Sequence, residues 1–267
     1  MNEFVLLDAA IWRDFREFDA LMHMANATPL YADLPSPNAK QLGPWLLDAD
    51  TFCACVAGDE PRALPWRFGF SRLSTEEGWP SLAMHLESQR GVAMADGDCY
   101  YLRYADTRAL DGLERALTDE QKQQLKGPIA HWHYVDRFGQ EREFGAGVSA
   151  DPRHHAEIVL SAEQSDRLLE QELAGTLAEY LETGREGSDQ CRLSAVQYGH
   201  VEASVAFLLH HGIEPLDVQR HVAAVAVETD GAVLTNAGFL ARIDSLRISQ
   251  RWHELMTRRG DSINSGA

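Results

Sequence analysis

The sequence predicts an α/β (α+β) N-terminal lobe with a mixed sheet, followed by an all-α C-terminal lobe. Three observations predict it. Short apolar runs of strand length alternate with helical patterns through residues 1–140. Residues 141–158 lose periodicity and gather Gly145, Gly147, Pro152 and many charges, the composition of a linker. Over residues 159–267 the apolar spacing is helical only.

In chain order, Phe4-Val-Leu-Leu7 reads as a buried strand. Ile11, Phe15, Phe18, Leu21 and Met22 then recur at helical spacing, which predicts a helix over 10–25. Pro29, Pro35 and Pro37 impose an extended, turn-rich segment. Trp45-Leu-Leu47 is a second strand, and residues 52–56 are read as a third. Phe68-Gly-Phe-Ser is a further strand. Pro80 in the first turn starts a helix that carries Leu82, Ala83 and Leu86. Asp96-Gly97 between two extended runs predicts a hairpin. Helices follow over 108–116 and 119–125, the second opened by a Thr118/Gln121 capping box. Residues 129–135 alternate apolar and polar and read as a strand. Ser161 with Gln164 opens a long helix. Further helices are expected over 189–198, 200–211, 214–228 and 240–258, with Gly199, Gly212 and Gly231 as stops.

Composition excludes several function classes. The 267 residues carry 24 Lys+Arg against 41 Asp+Glu, a net charge of -17 shared by both halves. Binding to a nucleic-acid backbone or an anionic membrane needs a basic surface that neutralises phosphates. The charge balance therefore argues for no nucleic acid and no membrane as partners. Asp8 interrupts the first apolar run before any secretory leader could form. No run reaches the ~20 apolar residues of a membrane span. Four cysteines in a chain of this size make no disulfide framework. The expected location is cytoplasmic.

The strongest metal pattern is His131-x-His133. On a strand both imidazoles face one way, with Trp132 and Tyr134 on the other face. Two ligands fall short of the three or four a site needs. The pairs His154-His155 and His210-His211 diverge in direction, and Cys53-x-Cys55 has the wrong spacing for zinc. Residues 145–150 match G-x-G-x-x-A, but no strand precedes and no helix follows. The sequence thus predicts no catalytic residue, no metal and no cofactor.

One surface is singled out for binding. Trp252 lies among Arg247, Arg251, Arg258 and Arg259 in the final helical pattern of an acidic chain. Arginine and tryptophan are enriched at protein interfaces.

The first half carries a series of short motifs in order. They are Val5-Leu-Leu-Asp8-Ala-Ala, Pro29-Leu-Tyr31-Ala and Leu42-Gly-Pro-Trp45-Leu-Leu-Asp48. Gly78-Trp79, Tyr100-Tyr-Leu-Arg103-Tyr104-Ala-Asp106-Thr-Arg108-Ala-Leu110 and Gly127-Pro-Ile129 with Trp132 complete the series. This order resembles the domain of type VI secretion effector chaperones, also called adaptors. Thr107 stands where the family usually has proline. The resemblance covers roughly residues 3–135 and is looser beyond. It implies a non-enzymatic cytoplasmic adaptor whose partners are a toxic effector and the VgrG spike protein. The competing readings are a metal-dependent hydrolase using His131 and His133, and a generic helical protein-interaction module.

If the arginine-rich helix holds a client, reversing its charge should abolish capture without unfolding the chain. Arg247→Glu with Arg251→Glu should leave stability within ~0.5 kcal/mol, as exposed substitutions do. Co-purification of the effector, with circular dichroism as the folding control, checks this. Wild-type retention by the folded variant would remove the helix as the surface.

Overall fold

Five consecutive buried residues close the first strand, β1 (Asn2–Asp8), so it is covered on both faces. Side chains alternate across a strand, so Phe4 and Leu6 enter one hydrophobic cluster and Val5 and Leu7 enter another. The structure is a computed structural model. It describes residues 1–36, 38–56, 66–94, 97–148, 157–183, 193–239 and 241–243. The chain divides into two units, Met1–Leu169 and Glu170–Ala267.

In the first unit, β1 is joined by β2 (Ala27–Pro29), β3 (Pro44–Asp48), β4 (Phe70–Thr75), β7 (Ile129–Val135) and β8 (Glu141–Glu143). They form an antiparallel sheet ordered β2-β3-β1-β4-β7-β8. Three further strands, β5 (Gly91–Ala93), β6 (Cys99–Tyr101) and β9 (Ile158–Val159), make a mixed sheet in which β5 pairs antiparallel with β6 and parallel with β9. The fold class expected from the sequence is the one observed.

One face of the large sheet presents Phe4, Leu6, Leu46, Leu73, Trp132 and Tyr134. Helices α5 (Trp79–Ser88), α6 (Thr107–Ala116) and α7 (Asp119–Lys126) contribute Leu82, Leu86, Leu110, Leu113 and Leu125 to that cluster. Its buried polar groups are paired: Trp132 Nε1 donates to Ser71 Oγ at 2.9 Å, and Tyr104 Oη donates to the Leu86 carbonyl at 2.8 Å. The other face presents Val5, Leu7, Trp45, Leu47 and Phe70. Trp12, Phe15, Leu21 and Phe52 pack against them from α1 (Ala9–Trp12), α2 (Phe18–Met22), α4 (Ala49–Cys55) and the turn after α1. A short α3 (Ala39–Leu42) precedes β3.

Helix α8 (Ala162–Thr183) crosses the division between the units. Its Ser161/Gln164 capping box forms as expected, and Gln164 Nε2 also donates to the Gln121 side chain of the α7 capping box at 2.6 Å. In the second unit α9 (Ala195–His210) and α10 (Leu216–Glu228) pack Val201, Val205, Leu208, Val222 and Ala223 against Leu177 and Leu181 of α8. Gly212, at φ 62°, ends α9. Its N–H reaches the Leu209 carbonyl, and the Ile213 N–H reaches that of Leu208. Among the described residues, no helix is long and apolar enough to cross a membrane.

Four readings differ from expectation. The helix expected over 10–25 is two short helices joined by turns, because Phe15 N–H bonds to Trp12 O and Phe18 N–H to Phe15 O, three residues apart. Residues 52–56 lie in or end helix α4 rather than forming a strand. Asp48 Oδ1 accepts the Thr51 N–H at 3.0 Å and starts that helix. Gly199 does not separate two helices. The Ser194/Gln197 capping box starts α9 before it, and the helix runs through. Residues 141–143 and 158–159, at the ends of the stretch read as a linker, are strands. Of the helix expected over 240–258, only 241–243 fall within the described residues.

Two substitutions test this packing. Trp132 is wholly buried, so Trp132→Ala should cost ~3–5 kcal/mol in urea denaturation. Gly127 follows α7 at φ 52°, and a Cβ there would lie 2.1 Å from His85 Cε1. Gly127→Ala should therefore lose at least ~1–3 kcal/mol from backbone strain alone.

Candidate functional site on the open half of the main sheet

Among the described residues, the helices on the face that buries Val5 and Leu7 pack over β1, β2, β3 and Phe70 of β4. Toward β8 the register of that face brings up Glu3, Arg72, Ser74, His131, His133, Glu141 and Glu143. The opposite residues of β7, Trp132 and Tyr134, are in the core, so the two histidines must point outward. They are exposed, with parallel rings 5.8 Å apart. Glu143 lies directly across from His133 on β8, and its carboxylate accepts a hydrogen bond from His131 Nδ1 at 2.9 Å. One donor atom from each of the three lies within 4.8 Å of the others. Around them, Ser74 Oγ donates to Glu3 at 2.9 Å, and Arg72 lies 3.7 Å from Glu141.

Glu143 is the residue that sequence reasoning missed. The signal was present. Gly139, at φ 81°, turns the chain after β7, and Asp136 Oδ1 accepts the N–H groups of Phe138 and Gln140 at 2.9 Å each. A hairpin at that turn carries Glu141 and Glu143 onto the histidine face.

The motif residues gather elsewhere, in a network of caps. Asp8 Oδ1 accepts the Ala10 and Ile11 N–H groups and starts α1. Asp106 accepts the Arg108 N–H and both nitrogens of its guanidinium edge, starting α6 despite the missing proline. Arg103 links the two carboxylates, at 3.5 Å from Asp8 and 3.2 Å from Asp106. Burial holds the Asp8 carboxyl above its ordinary value of 3.8, against the opposing pull of Arg103. These residues position elements and bury charge, which is structural work.

The other candidates separate. Arg247, Arg251, Trp252, Arg258 and Arg259 lie outside the described residues, as do His154 and His155. His211 caps α9 and packs on Phe207 with ring centroids 4.4 Å apart. Cys53 and Cys55 are both on helix α4. Gly145 and Gly147 both have positive φ in the turn after β8, and the end of the dinucleotide pattern, with the residues behind it, lies outside the described residues. An open groove of about 710 Å³ lies beside α2 and α3, lined by Phe18, Met22 and Trp45 together with Arg13 and Lys40.

Residues 4–124 match the model of a domain of unknown function, DUF4123. No curated protein and no solved structure matches the chain. The match spans β1 through most of α7 and takes in both capping aspartates.

The raised Asp8 pKa sets a pH dependence. A carboxyl whose folded value lies above its unfolded value stabilises the fold below pH 3.8, and that contribution is lost as pH rises through the folded value. Asp8→Asn keeps the Oδ1 acceptor for α1 but cannot ionise. The stability of Asp8→Asn relative to wild type should therefore increase as pH rises above 3.8, measured by urea denaturation across a pH series. A difference that shrinks with rising pH would mean that the Arg103 pair outweighs burial.

Proposed function

We propose that this chain is an adaptor of type VI secretion. It binds a toxic effector in the cytoplasm and helps load it onto the VgrG spike, and it catalyses no reaction itself. The observation that carries the reading is the DUF4123 match over residues 4–124, a family associated with type VI secretion effector adaptors. The positions of the motif residues support it. Asp8, Asp106 and Arg103 cap and tie helices, while Trp45, Tyr104 and Trp132 fill the core. A shared scaffold of this kind leaves the exposed surfaces free to match a client. The open sheet half and the groove beside α2 are two such surfaces; the arginine-rich segment around Trp252 lies outside the described residues.

Deletion of the gene should stop secretion of one effector without lowering its synthesis, and the tagged chain should co-elute with that effector in size-exclusion chromatography. Undiminished secretion in the deletion strain, or an effector that never co-elutes, would overturn the reading.

A further inference from the structure

We propose that His131, His133 and Glu143 form a binding site for a divalent transition-metal ion of the zinc type on the open face of the main sheet. Three independent features carry it. The first is chemistry: two imidazoles and one carboxylate are ligands that suit zinc, and such a set leaves a position for water.

The second is placement. Both histidines are held on one face by the burial of Trp132 and Tyr134 on the other, so the pair is fixed by the core and not by chance rotamers. Glu143 comes from the neighbouring strand at the register position opposite His133, yet its carboxylate reaches His131. It therefore spans the pair. The third is distance. A tetrahedral ion with bonds of ~2.1 Å holds its donors ~3.4 Å apart. The three donors lie within 4.8 Å, and the His131–Glu143 pair is already at 2.9 Å. Small side-chain rotations close the remainder, and the two exposed histidines are free to make them.

The nearby cation is held more closely by backbone carbonyls than by the site. Lys126 Nζ is 3.8 Å from Glu143, but it donates to the Gly145 and Val148 carbonyls at 3.2 Å each, so its ammonium already has partners. Arg72 is engaged by Glu141. The fourth position faces solvent, and water fills it.

The test is a zinc titration of the untagged, chelator-treated full chain by calorimetry, with elemental analysis of the dialysed complex. One ion per chain is expected. Affinity should fall by at least about tenfold in Glu143→Gln, a change of the size seen when a site loses a supporting carboxylate. Binding should vanish in His131→Gln with His133→Gln, whose exposed side chains leave the circular dichroism spectrum unchanged. His210→Ala with His211→Ala should leave the zinc in place. No binding by the wild type, zinc retained by the His131/His133 variant, or zinc lost only from the His210/His211 variant would each overturn the site. None of these readouts uses an effector, so failure here and failure of the adaptor reading are distinguishable.

Discussion

The burial of β1 on both faces is the constraint on which the first unit depends. A strand that alternates two sets of apolar residues must be covered twice, and a single layer of helices cannot do that. Phe4 and Leu6 therefore call up α5, α6 and α7, while Val5 and Leu7 call up α1, α2 and α4. The chain's direction out of the sheet is set at the same strand. Asp8, its last residue, caps α1 and shares Arg103 with the cap of α6. One side chain thus ties together helices about 100 positions apart in sequence, one packed in each layer. Burying that carboxylate costs free energy, and the backbone hydrogen bonds and the Arg103 ion pair offset part of the cost.

Much of this was legible in the sequence because it rests on local rules. β1, β3 and β7 announced themselves by apolar runs or alternation, and the capping boxes at Thr118 and Ser161 by their side-chain spacing. What failed did so for nameable reasons. Apolar residues at helical spacing report which side meets the core, and a run of tight turns after Trp12 satisfies that as well as a continuous helix does. Residues 52–56 looked like a strand by composition, but Asp48 both ends β3 and caps α4, and Phe52 and Val56 then share a buried helical face. Gly199 was given a helix-stopping role from its residue type alone. A Cβ there would meet open space, and the stripe of Tyr198, Val201 and Val205 carries the helix through at a cost of about 1 kcal/mol.

The candidate site was half legible for the same kind of reason. The direction of His131 and His133 follows from alternation within one strand. Their third partner depends on strand pairing across the hairpin, which alternation within one strand does not report. Glu143 is 10 positions from His133 in the chain and directly opposite it in the sheet. Only the turn organised by Asp136 converts the one relation into the other.

Exposed charge on this part of the sheet has an ordinary use that the geometry separates from the histidines. Sheet edges must be protected from pairing with other chains, and short strands, prolines and charges do this. β2, at one edge, is three residues long and ends in Pro29. β8, at the other, is Glu-Arg-Glu. Those charges explain Glu141 and Arg142 without further appeal. They do not explain His131 and His133, which sit on β7, one strand in from the edge, where His133 is paired on one side with Arg72 and on the other with Glu143. A position of that kind, open on one face only, needs no charge for protection and ordinarily takes a β-branched or polar residue. That two imidazoles occupy it, with an edge carboxylate turned inward to meet them, sets this patch apart from the solvated surface around it.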